Sequence, residues 1–183
     1  MASAARGSRR ALPSLVMSYD ALIRPADRGD AAAIAAIYNH YVRASVVTFE
    51  EQEVSFAEME ARLGNVAGAR LPWLVAEREG AMLGYAYADR WKARSAYRHT
   101  VESTVYLDHR HTGNGLGRRL YAALLAGLRE RTVHAVIGGI ALPNAASVAL
   151  HERLGFVNIG QFHEVGFKFG RWIDVGYWQH RLL

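Results

Sequence analysis

The stretch "RHTGNGLG", Arg110 to Gly117, sets glycines at 113, 115 and 117 between the runs "VESTVYLD" and "RRLYAALLAGLRERT". The first run alternates like a strand, and the second carries apolar residues at the three- and four-residue spacing of a helix. Glycines at such a junction leave consecutive backbone N–H groups unshielded, and N–H groups at a helix N-terminus suit an anion such as a pyrophosphate. Arg118 and Arg119 oppose the dipole of an isolated helix, but they fit one whose N-terminus holds a polyanion. Two nucleotide motifs fail on spacing. G-x-G-x-x-G would need glycine where Arg118 stands, and G-x-x-x-x-G-K-[ST] does not occur. A tight turn without a ligand is the competing reading.

Other groups that could do chemistry lie upstream and downstream. Glu102 sits on "TVESTVYLD", where alternation puts Glu102, Thr104 and Tyr106 on one face and Val101, Ser103, Val105 and Leu107 on the other. The second face is apolar and packs on helices, so the carboxylate must look at something polar, either a site or a solvated ion pair. "WKARSAY" holds Lys92 and Arg94, charge-assisted donors or a solvated basic loop. There are eight histidines. His109 and His111 flank a turn without a third ligand in reach and H-E-x-x-H is absent, so no metal site is expected. No cysteine is present. That excludes a thiolate nucleophile and disulfides, and it fits a reducing cytoplasm.

The elements that must position these groups follow from periodicity. "ALIRPAD" reads as a strand. Asp30 is expected to cap the helix "AAAIAAIYNHYVRA", with Ile34, Ile37, Tyr38 and Tyr41 on one stripe. Ser55 and Glu58 form a capping box before "FAEMEARLG". "WLVAERE" and "MLGYAYADRW" make a hairpin about Gly80. A helix from Leu116 to about Arg131 buries Leu120, Leu124, Leu125 and Leu128, and "AVIGGIAL" is a strand carrying a glycine pair. A helix from about Asn144 stops at Gly155, and two long antiparallel strands close the chain. The order β α α β β β α β α β β predicts one α/β (α+β) domain with a mixed, mostly antiparallel central sheet and flanking helices.

With 183 residues, 51% apolar and 21% charged, the chain suits one domain with an ample core, and no run approaches the roughly 18 apolar residues of a membrane span. Its net charge of +5 invites nucleic acid, but the first 16 residues hold Arg6, Arg9 and Arg10 and no acid; without them the charge is +2. Residues 1–18 read as a disordered or over-called leader, with Met17 as a second candidate start and an organelle transit peptide as the less favoured reading. The domain proper is residues 19–183.

The order of elements and the place of "TGNGLG" resemble the GNAT acetyltransferase superfamily. Its [QR]-x-x-G-x-[GA] signature lies in register with Gly115 and Gly117, and Thr112 stands where Gln or Arg is usual. "NAASVALHERLGF", Asn144 to Phe156, matches a second superfamily pattern. From about Ile23 onward the chain is similar to one branch, the phosphinothricin and methionine-sulfoximine N-acetyltransferases. The blocks that carry this likeness are "NHY" at 39–41, "PWLVAE" at 72–77, "WKARSAY" at 91–97, "ESTVYL" at 102–107, "LPN" at 142–144, "LHERLGF" at 150–156, "GFKFGRW" at 166–172 and "DVGYWQ" at 174–179.

The resemblance implies acetyl transfer from acetyl-CoA to the α-amine of a small amino acid or analogue by direct attack, without an acyl-enzyme. It implies Glu102 as general base and His151 as the acid that protonates the leaving thiolate, the latter weighed against a buried helix histidine bonded to a neighbour. The backbone of Val105, Tyr106 and Leu107 would bind the pantetheine arm and polarise the thioester. Gly113, Asn114, Gly115, Leu116, Gly117 and Arg118 would hold the pyrophosphate, with Asn144 and Ser147 touching the cofactor. Lys92, Arg94, Tyr97, Glu102 and Thr104 would bind the acceptor, with Phe49 as a pocket wall. The C-terminal aromatic strands imply a homodimer; neither nucleic acid nor membrane is expected as a partner. The rivals are a protein N-terminal or polyamine acetyltransferase on the same fold, and a non-catalytic acyl-CoA-sensing or nucleic-acid-binding module.

Overall fold

The computed structural model describes residues 21–182; the leader at 1–18 lies outside the described residues. Seven strands make one sheet: β1 (Leu22–Pro25), β2 (Trp73–Arg78), β3 (Ala81–Arg90), β4 (Thr100–Leu107), β5 (Ala135–Leu142), β6 (Val157–Lys168) and β7 (Arg171–Arg181). Four helices, α1 (Ala31–Ala44), α2 (Phe56–Gly68), α3 (Leu116–Arg129) and α4 (Ala145–Arg153), complete the expected order. The strand order is β1-β2-β3-β4-β5-β7-β6. Neighbours run antiparallel except β4 and β5, which are parallel.

Each sheet face buries a different helix pair. On one, α3 sets Leu120, Leu124, Leu125 and Leu128 against Val101, Val136 and Ile140, with Val105 and Leu107 alongside and α4 adding Val148 and Leu150. Burial of each leucine stabilises by about 1.5–3 kcal/mol. On the other face, α1 and α2 set Ile34, Met59 and Leu63 against Trp73, Val75 and Tyr85. Ser55 and Glu58 make the predicted capping box at α2.

Asp30 does not cap α1 with its side chain. Its carboxylate instead takes both terminal nitrogens of Arg24 at 2.8 Å and the Asp27 N–H at 2.8 Å. A buried carboxylate finds a guanidinium fork a better partner than helix amides. Both tight hairpins use left-handed pairs, Glu79–Gly80 (φ 53° and 78°) and Phe169–Gly170 (φ 51° and 73°), the signature of a two-residue primed turn.

The feature that matters for function is where β4 and β5 part. They pair only at Thr100–Ala135, Val101–Val136 and Glu102–Ile137. Beyond that, β4 stays paired with β3 as far as Leu107, and β5 stays paired with β7 as far as Leu142. The sheet therefore opens into a wedge between its two central strands. From Ser103 onward, the β4 edge facing the wedge has no strand to bond.

Candidate active site

Glu102 occupies the last rung before the wedge. Its carboxylate lies over β5 at Gly139, where an added Cβ would stand 3.2 Å from Oε1 and 3.3 Å from the Tyr177 ring. Burial pushes the Glu102 carboxyl above the ordinary carboxylate range; Lys92 opposes the shift, and Asp89, its direct β3 partner, adds to it. Tyr177 is edge-on to Trp91 at 5.8 Å and to Phe162 at 5.6 Å. These three rings, with Ile137, Ile159, Gly160 and Gln161, line a cleft of about 380 Å³. A carboxylate beside an apolar cleft, with a raised pKa, is placed to accept a proton from an amine.

Across the sheet, His151 is 5% exposed. Its Nδ1 is 2.8 Å from the Ser147 carbonyl, which can only accept, so Nδ1 carries the proton. Nε2 then accepts from the Tyr121 hydroxyl at 3.1 Å, and Tyr121 in turn is 2.6 Å from Ser103 Oγ. The ring packs edge-on to Tyr121 and Phe156 and lies directly on Gly138. Burial lowers its pKa, so the resting imidazole is neutral and both nitrogens are committed. Such a group gives up a proton only after becoming an imidazolium. Burial makes that species scarce but strongly acidic.

The glycine turn is built as its spacing requires, with two refinements. Gly113 and Gly115 have φ of 78° and 85°, and Gly115 is the N-cap of α3. An L side chain at either position would be strained. The Asn114 side chain, however, serves the turn itself, donating to the His111 carbonyl at 3.0 Å and accepting from the Leu116 N–H at 3.0 Å. The buried Leu116 therefore has no amide to spare, a correction to its expected role. Gly117 and Arg118 follow as first-turn residues whose N–H groups have no acceptor within the helix. Gly117 packs close to Leu107, and Arg118 is exposed. Asn144 likewise spends its side-chain oxygen on the Ser147 N–H at 3.1 Å, as the N-cap of α4.

The acceptor-side residues are more scattered. Lys92 is exposed, with Nζ 4.7 Å from the Trp91 ring centre. Arg94 and Tyr97 lie on the exposed turn after β3. Thr104 sits opposite Tyr87 on β3. Phe49 comes from the segment between α1 and α2 and lays its ring on Gly166 of β6. Tyr106 departs from the expectation of a polar face. It joins an aromatic cluster with Tyr38, Tyr41 and Tyr85, because α1 and α2 cover that end of the strand.

Sequence reasoning missed Tyr121, Trp91 and Tyr177. Tyr121 lies on the apolar stripe of α3, where an aromatic reads as core. Trp91 and Tyr177 meet only because β7 lies beside β5. Among the described residues, no three His, Asp or Glu side chains gather where a metal could be held.

Unshielded amides at the head of α3, an open β4 edge and a proton-accepting carboxylate at the apex of the wedge suit a donor carrying a pyrophosphate and an extended arm. The description "acetyltransferase (GNAT) domain" matches residues 23–176. A phosphinothricin N-acetyltransferase of Streptomyces viridochromogenes is 47% identical over 157 residues, 86% of this chain and 85% of that protein. An L-methionine sulfoximine/L-methionine sulfone acetyltransferase of Salmonella typhimurium is 39% identical over 163 residues, 87% of this chain and 94% of that one. A crystal structure of a GNAT superfamily phosphinothricin acetyltransferase from Sinorhizobium meliloti, in complex with acetyl-CoA, superposes with a TM-score of 0.86 at 37% identity, covering 88% of each chain. On fold, site and sequence together, the chain belongs to the GNAT family of acetyltransferases.

Proposed function

We propose that this enzyme transfers acetyl from acetyl-CoA to the α-amine of a small amino acid or analogue of the phosphinothricin, methionine sulfoximine and methionine sulfone type. The observation that carries the reading is Glu102, half-buried with a raised pKa at the point where β4 and β5 part, beside an apolar cleft and within the field of Lys92. Bound acetyl-CoA supplies an activated acyl group. The amides of Gly117 and Arg118 are the proposed pyrophosphate donors. The β4 edge from Val105 to Leu107 is the proposed partner of the pantetheine arm and of the oxygen on which charge develops.

Glu102 takes the ammonium proton of the acceptor and passes it to solvent, the amine nitrogen bonds the acyl carbon, and the carbon–sulfur bond breaks as the new amide nitrogen gives its second proton to Glu102. His151, first protonated from solvent to the imidazolium and freed at Nε2 from its Tyr121 bond, gives the leaving thiolate its proton. Lys92, Arg94, Tyr97 and Thr104 are the proposed donors to the acceptor's carboxylate and tail.

A side-by-side assay of thiol release with phosphinothricin, methionine sulfoximine, methionine sulfone, spermidine and an alanine-terminated peptide tests the acceptor class. Turnover is expected with the three amino-acid analogues. Turnover of the peptide or spermidine alone would sink it. Lys92 and Arg94 weigh against a polyamine, since like charges repel at the pocket mouth.

The same reading includes a cytoplasmic homodimer. Its support is the outer sheet edge, where Val157, Ile159, Phe162, Phe167 and Trp172 are all more than half exposed. An edge strand with an apolar face of this size invites a second copy. Sedimentation at micromolar concentration should give twice the chain mass; a monomer there would refute the pairing.

A further inference from the structure

Lys168 is 1% exposed, the only lysine among the buried residues described. Its two sequence neighbours on β6 and in the following turn, Phe167 and Phe169, are 53% and 58% exposed, and the buried ammonium lies 5.0 Å from the Phe169 ring centre. Burying an ammonium is costly unless it is bonded. The acceptor it finds is the Thr48 carbonyl, 2.9 Å from Nζ and 120 residues away in sequence. Burial lowers its pKa, and the carboxylates of Glu51 and Glu50 work against that shift.

Thr48 belongs to the irregular segment between α1 and α2, which has no ladder of its own. Tertiary bonds hold it instead. Tyr38 of α1 meets Thr48 Oγ1 at 2.6 Å, and Tyr106 of β4 donates to the Val47 carbonyl at 3.4 Å. Asn39 closes the far end, bonding the Val54 carbonyl at 2.9 Å and the Val54 N–H at 2.8 Å. Lys168 is the tie from the β6–β7 hairpin. The residue next to Thr48 is Phe49, whose ring rests on Gly166, two positions before Lys168. A Cβ on Gly166 would overlap that ring.

We propose that Lys168 is a positioning residue for the acceptor pocket, anchoring the Thr48 carbonyl to the β6–β7 hairpin so that Phe49 stands over Gly166 as a fixed wall. Lys168 itself touches neither substrate. The inference rests on the acceptor reading above and adds Phe49 to its pocket, because Phe162, a wall of the cleft, and Gly166, under the Phe49 ring, lie on the same strand. It assigns to the GFKFG turn a duty in substrate selection that its distance in sequence conceals.

The test is the pair Lys168→Met and Gly166→Ala, assayed for KM of each substrate and for thermal unfolding. Losing a bond to a charged group corresponds to roughly a tenfold or greater effect. Lys168→Met should therefore raise acceptor KM about tenfold, with KM for acetyl-CoA within twofold of wild type. The variant should fold, since an apolar chain of similar length replaces a buried charge. Gly166→Ala pushes the same ring from the other side and should reproduce the acceptor effect. The double variant should exceed the worse single change by less than the product of the two, because both act through Phe49. An unchanged acceptor KM in folded Lys168→Met would overturn the proposal, as would a parallel rise in both KM values or fully multiplicative effects. Should wild type acetylate none of the amino-acid analogues, the acceptor reading fails on its own, before either variant is compared.

Discussion

Glu102→Gln is expected to reduce kcat/KM by roughly 100-fold or more, the usual cost of losing a general base, while acetyl-CoA binding persists. The substitution keeps size and most polarity but cannot take a proton. The pH profile distinguishes a base from a mere binding group. With the carboxylate as the proposed working form, activity must fall as pH drops through the Glu102 pKa, and that pKa is raised by burial. The acid limb of kcat/KM should therefore lie above the ordinary carboxylate range. Its neighbours supply an internal control. Asp89 raises the pKa and Lys92 lowers it. Asp89→Asn should move the limb to lower pH, and Lys92→Met to higher pH. A Glu102→Gln enzyme with near-normal turnover would mark the residue as an ordinary strand carboxylate.

Gly138→Ala is the second large effect expected. A Cβ at this position would stand 2.5 Å from His151 Nε2 and 2.7 Å from Cδ2, distances that real atoms do not adopt. Tyr121 and Phe156 flank the ring edge-on at 5.1 and 5.0 Å, so the imidazole must leave its bond to Tyr121 or push the β5 backbone away. Overpacking of this kind costs about 1–3 kcal/mol of stability. As a proton donor to the leaving thiolate, His151 should take with it a factor of about 100 in kcat. The Glu102 acid limb should stay where it is. Thermal unfolding and turnover at saturating substrate measure the two effects separately. Destabilisation with kcat intact would make His151 a packing residue of α4.

Most of the path of the chain could be read from local pattern. The leucine spacing of α3, the Ser55–Glu58 box and the glycines at 80 and 155 depend on neighbours within a few positions, and they appear as expected. Where a residue had a choice of distant partner, pattern misled. Asp30 looks like a helix cap until Arg24 is folded beside it. Tyr106 alternates with Glu102, yet α1 and α2 reach far enough to bury its ring among tyrosines. Lys168 attracts no reading of its own, since nothing near it in sequence shows that Thr48 lies within bonding distance. Tyr121 and Tyr177 were invisible for the same reason. Each acquires chemical meaning only from a group on another strand. The resemblance to a known branch supplied Glu102, His151 and the acceptor set; periodicity alone left each of them open.

The wedge between β4 and β5 has a consequence for how such a protein can change over time. One side of the proposed reaction is served by peptide amides, so drift in sequence outside the strained glycines 113 and 115 leaves the acyl donor's berth intact. The other side is furnished by Phe49, Trp91, Lys92, Arg94 and Tyr177, each replaceable by a single codon. Heredity can therefore rewrite which amine is acetylated while the source of the acetyl group stays the same. A chain of this design is conservative about its currency and free in its customers.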